Sequence, residues 1–114
     1  MPYISVQDFF DKTAGLTKIS REEELALAAA MAQGDAGARS RLIEGYLPMV
    51  AGHLRKCGTH FQTLGHLYSC LQALEKAVGS FNFLQNSESF THRLSWWLRQ
   101  ATTAYIAEQR NTHP

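Results

Sequence analysis

Apolar residues recur at helical spacing in one segment of this chain after another, and no segment alternates as a half-buried strand would. Val6, Phe9 and Phe10 predict a short first helix ending near Gly15. Ser20 and Glu23 form a capping box, in which the serine accepts from the Glu23 amide and the Glu23 side chain reaches back. The helix it opens is expected to carry Leu25, Leu27, Ala28 and Met31 inward and to stop at Gly34. Asp35 caps the next, from Ala36 to about Leu47, with Leu42 and Ile43 inward. Pro48 suits the first turn of a further helix, where its missing donor costs nothing; Met49, Val50 and Leu54 are its apolar face, and it ends by Gly58. Residues 58–65 read as a loop. Leu67 to Phe81 reads as a helix with Leu67, Leu71, Leu74 and Val78 on one stripe. A polar connector, Asn82 to Ser89, leads to a last helix from about Ser89 to Gln109, which frays into 111–114. The expected architecture is all-α, a compact bundle of about five or six helices.

Composition narrows the class. At 114 residues the chain is expected to form one domain, 1–114, without help from metals or disulfides. It has no run of about 18 apolar residues, so no membrane span is expected. The first residues do not read as a signal peptide, and two cysteines make no disulfide framework; both point to the cytoplasm. The formal net charge is only +1. A protein that holds duplex DNA unaided usually shows a basic stripe, so free DNA binding is expected to be weak.

The most informative stretch is Phe90 to Arg110, with adjacent Trp96 and Trp97 followed by Leu98-Arg99-Gln100-Ala101 on one amphipathic helix. It resembles the promoter-reading helix of the sigma-70 family of bacterial transcription initiation factors. Leu16 to Ala28 and Gly34 to Leu47 are similar to the start of that family's conserved core, regions 1.2 and 2. Ala73-Leu-Glu-Lys-Ala-Val-Gly-Ser-Phe81 resembles the family's Gly-Leu-x-Lys-Ala-Val-x-Lys-Phe. The likeness runs from about residue 5 to residue 110. The family's later domains, including the −35-reading helix-turn-helix, have no counterpart in this sequence, as in a truncated or split sigma factor.

The resemblance implies roles for individual residues. Phe81 and Phe90 resemble aromatics near the pocket for a flipped −10 adenine, and Trp96 and Trp97 the pair that wedges at the upstream edge of the melted bubble. Gln100 and Thr103 resemble side chains facing the first duplex base pair, and Arg99 a phosphate contact. Arg93 stands where the family has the tyrosine that stacks on the flipped adenine, and Ala104 where it has an arginine. Unpaired bases need π-faces, and glutamine can meet an adenine edge in two places. The implied partners are promoter DNA and the clamp helices of core RNA polymerase, met here by Leu67, Tyr68 and Leu71. Yet the family's clamp-binding motif, Asp-Leu-Ile-Gln-Glu-Gly, falls on Gly65-His-Leu-Tyr-Ser-Cys70, without its acidic and amide side chains. This departure favours an alternative: a sigma-like interaction module that regulates transcription by pairing with a second sigma-like or regulatory protein.

Other features read more plainly. Of two adjacent helical tryptophans, one normally faces the core. Cys57, His60, His66 and Cys70 have metal-like spacing, but buried thiols and ordinary histidines explain them without an ion, so no metal or cofactor is expected. Glu22, Glu23 and Glu24 are an acidic first turn that complements the helix dipole. No nucleophile elbow, Gly-rich phosphate loop or paired acids appear, and no enzyme is expected.

Overall fold

The computed structural model describes residues 3–84 and 89–112. Six α-helices follow one another: α1 Val6–Thr13, α2 Arg21–Ala32, α3 Ala36–Gly45, α4 Leu47–Lys56, α5 Leu64–Ser80 and α6 Phe90–Thr112. A 3₁₀ turn, Thr59–Phe61, links α4 to α5, and no strand occurs among the described residues. The all-α bundle is as the spacing predicts.

Most helix boundaries follow from local chemistry. The Ser5, Ser20, Asp35 and Thr63 side chains accept from the amides of Asp8, Glu23, Ala38 and His66, satisfying donors that the first turn leaves open. Gly34 ends the α2 region at φ +91°, and Gly58 ends the α4 region at φ +84°, backbone conformations that L side chains rarely adopt. Pro48 sits in the first turn of α4. The α5 helix begins at Leu64, three residues before the expected Leu67, because the Thr63 cap extends it back through the supposed loop. Residues 85–88 of the expected connector lie outside the described residues.

Several side chains depart from the sequence reading. Glu23 does not complete the capping box; its carboxylate instead accepts from Arg41 of α3 at 2.9 Å, tying the α2–α3 hairpin. Leu25 is exposed, whereas Glu24 of the supposedly solvated acidic turn is buried. Glu24 pairs through Oε2 with Arg21 at 3.3 Å and lies near Tyr46, the residue joining α3 to α4, while its Oε1 is buried without a hydrogen-bond partner. Burial, then the neighbouring Glu24 charge, pushes the Tyr46 hydroxyl far above its ordinary pKa, so it stays protonated.

The core gathers the inner stripes of every helix: Phe9 and Phe10 of α1, Ala28 of α2, Leu42 of α3, Val50 and Leu54 of α4, Leu67, Leu71, Leu74 and Val78 of α5, and Phe90, Leu94 and Leu98 of α6. The α1 helix rests on α4, α3 on α5, and α5 runs along α6 in the most extensive helix–helix contact. Four aromatic rings close one end of that pair. Phe90 has its ring centroid 4.7 Å from Tyr46, 5.3 Å from Phe81 and 4.8 Å from Phe83. Truncating a ring at such a hub removes burial and leaves a cavity, so Phe90→Ala is expected to destabilise the fold by about 3–5 kcal/mol. Urea unfolding should show the midpoint fall with an unchanged slope.

Candidate nucleic-acid interface

The α6 helix has two faces, and packing decides which residue belongs to which. Phe90, Leu94 and Leu98 point into the bundle, and this commits the opposite side to solvent. On that outer side stand Arg93, Trp96, Arg99, Gln100 and Thr103, all exposed. Their spacing of three and four residues gathers them into a stripe about 15 Å long at 1.5 Å per residue. Trp96 is 43% exposed, a large apolar ring held at the surface. Five of the eight sequence-predicted DNA-binding residues thus share one accessible face.

The other three are placed differently. Trp97 is the core-side member of the tryptophan pair; it is half-buried against the core and stands edge-on to Trp96 at 5.5 Å. It also lines, with Gln100 and Ala104, a groove of about 280 Å³ whose opposite wall is Ser69, Gln72, Ala73 and Lys76 of α5. Phe81 is half-buried in the aromatic hub. Phe90 is only 1% exposed, so it supports Phe81 from behind and offers no surface to a base. Phe83, which the polar look of the connector concealed, is also buried in this hub. Its signal was a lone pair of apolar residues, Phe83 and Leu84, inside a polar run.

The stretch expected to meet polymerase divides likewise. Leu67 and Leu71 are buried in the core, and Leu71 also lines the groove beside Tyr68. Tyr68 is half-exposed, and its hydroxyl donates to the Tyr3 carbonyl at 2.8 Å. Around it, Gly65, Ser69, Gln72 and Glu75 line a groove of about 420 Å³ on the outer side of α5.

Behind α6 lies a polar cluster that the sequence showed only in part. His66, fully buried, donates from Nδ1 to the Phe61 carbonyl at 2.7 Å, since a carbonyl can only accept. In its neutral form the bare Nε2 then accepts from the Thr102 hydroxyl at 2.7 Å. That hydroxyl has given its one proton, so His53 Nε2–H donates to it at 2.8 Å. His53, Cys57 and His66 place their donor atoms within 4.8 Å of one another, while His60 is exposed on the turn. The sequence reading chose His60 where the structure uses His53; the signal was there, because His53 and Cys57 are four residues apart on one helix face. Burial, then the charges of His66, Lys56 and Arg99, lowers the His53 pKa. Burial, then the nearby Cys57, pushes the Cys70 thiol up to about 12.

No family model matches the chain. It is, however, 34% identical over 95 residues to the RNA polymerase sigma factor SigA of Listeria monocytogenes, and equally to that of Listeria innocua. The matched stretch is 82% of this chain and 25% of each relative, so the chain spans about a quarter of the proteins it matches. The chain is related to sigma factors over this stretch. The similarity supports a sigma-70-like character for the chain.

The burial of Cys70 carries a direct consequence. At pH 8 a thiol of pKa about 12 is ionised in only about one molecule in 10⁴, and the side chain is shut from solvent. Iodoacetamide at that pH is expected to leave Cys70 unmodified in the native protein and to label it fully in denaturant, as read by peptide mass spectrometry.

Proposed function

We propose that this sigma-like domain acts in transcription initiation, laying the outer stripe of α6 on −10 promoter DNA while the outer side of α5 meets core RNA polymerase. The observation that carries the reading is the stripe itself. In a chain related to sigma factors, Arg93, Trp96, Arg99, Gln100 and Thr103 share one accessible helix face. Trp96 offers a π-face on which an unpaired base can stack, Gln100 two hydrogen-bonding atoms for a base edge, and Arg99 a charge for a phosphate. Trp97 braces Trp96 from the groove side. Capture of flipped bases favours the melted promoter over the duplex, because each stacked base offsets part of the unpairing cost. The role is non-enzymatic: the domain binds and holds strands.

Electrostatics requires a partner. With a net charge of +1, the chain cannot draw much on counterion release, so polymerase supplies most of the phosphate attraction. The docking surface in this proposal is Tyr68 with Ser69, Gln72 and Glu75. A second reading rests on that same surface. His66, Leu67 and Cys70 are buried, and the segment 65–70 carries no carboxylate, so the face is suited to a protein other than the usual clamp helices. In that reading the domain is a regulatory module that pairs with another transcription protein.

The two are separated by fluorescence anisotropy of a forked −10 oligonucleotide, with and without core RNA polymerase from the same source. Tight binding is expected only when polymerase is present. Trp96→Ala should weaken it by about 5- to 150-fold, the equivalent of about 1–3 kcal/mol for a stacked base. Gln72→Arg, on an exposed position, should abolish the binding seen with polymerase. No binding with polymerase, from a folded protein, sends the assignment to the regulatory module.

A further inference from the structure

The polar cluster behind α6 has the chemistry of a metal site. His53 projects from the last turn of α4 and Cys57 from its C-terminal cap, His66 from the first turn of α5, and Thr102 of α6 closes the far side. We propose that His53 Nε2, Cys57 Sγ and His66 Nε2 bind one zinc ion, with the Thr102 hydroxyl or a water in the fourth position. This inference does not depend on the transcriptional reading.

The distances support it. Zinc bonds of about 2.0–2.1 Å to nitrogen and 2.3 Å to sulfur place tetrahedral donors about 3.3–3.6 Å apart. His53 Nε2 and Cys57 Sγ already stand 3.7 Å apart, and all three donors lie within 4.8 Å of one another. Side-chain adjustment of about 1 Å would close the site. The groups around the ligands are in place too. His66 carries its proton on Nδ1, held by the Phe61 carbonyl, which aims the Nε2 lone pair into the cluster as zinc ligands require. Its ring is fixed by stacking on Tyr105 at 5.0 Å and 10°. Tyr105 is itself anchored to Thr63 at 2.6 Å.

Without an ion, the Thr102 hydroxyl bridges the two histidines. Zinc would take the His66 lone pair from the Thr102 proton, and the His53 ring proton would move from Nε2 to Nδ1 through exchange with solvent. Cys57 would lose its thiol proton to solvent, so one proton is released for each ion bound. The ion would join α4 to α5, the helix that presents Tyr68, beneath α6.

The test uses the whole purified chain, stripped with a chelator and titrated with zinc and, separately, cobalt(II). One ion per chain is expected, with a thiolate-to-cobalt charge-transfer band. Cys57→Ser should remove that band and weaken zinc binding at least 10-fold, while His60→Ala should leave both unchanged. Circular dichroism establishes that each variant is folded; if Cys57→Ser is not, His53→Gln carries the same expected weakening of zinc binding. No stoichiometric binding to the folded chain would overturn the proposal. So would a band that survives Cys57→Ser, zinc binding unchanged in the folded ligand variant, or loss of binding with His60→Ala.

Discussion

The seam in which the apolar stripe of α5 meets that of α6 sets the direction of every other side chain on the last helix. Leu67, Leu71, Leu74 and Val78 on one side, and Phe90, Leu94 and Leu98 on the other, are buried almost completely. Each such side chain stabilises the fold by about 1.5–3 kcal/mol relative to exposure, so α6 cannot rotate without losing several of them together. Its outer stripe is therefore fixed by burial on the inner side, with no need for specific contacts of its own. The aromatic hub at Phe90 and the hydrogen bonds through Thr102 brace the seam at two points along α6.

This arrangement reconciles features that conflict when read singly. A near-neutral chain is a poor DNA binder by charge, yet it exposes a tryptophan and a glutamine beside two arginines on one face. The sigma-like reading resolves the conflict by dividing the work: side-chain stacking and base edges come from α6, and positive charge comes from polymerase. The altered 65–70 segment serves the interior with His66, Leu67 and Cys70, leaving Tyr68 and the residues one turn on to define the α5 surface.

Local rules made much of the fold legible. Ser20, Asp35, Gly34 and Pro48 act where cap, turn and first-turn chemistry places them, and the α5 stripe follows the helical period. The misses arise where tertiary partners override local preference. Glu23 favours Arg41 across the hairpin over its own backbone, and Glu24 goes inside because Tyr46 and Arg21 meet it there. Of the candidate site, the α6 face was legible as a set, since periodicity fixes which residues align. Which residues the core would claim was not: Phe90, Leu67 and Leu71 stand at contact positions by resemblance and are buried in the bundle. The bridging of His53 and His66 by Thr102, which lies 49 and 36 positions from them, is announced by no local pattern.

The central claim is that the outer stripe of α6 is the surface that touches promoter DNA. The most direct measurement is photo-crosslinking from a −10 non-template strand carrying a photoreactive base, in the presence of core RNA polymerase, mapped by mass spectrometry. The account predicts crosslinks on the peptide that spans Arg93 to Thr103, centred on Trp96. Crosslinks confined to other helices, or to polymerase alone while this chain is bound, would contradict it.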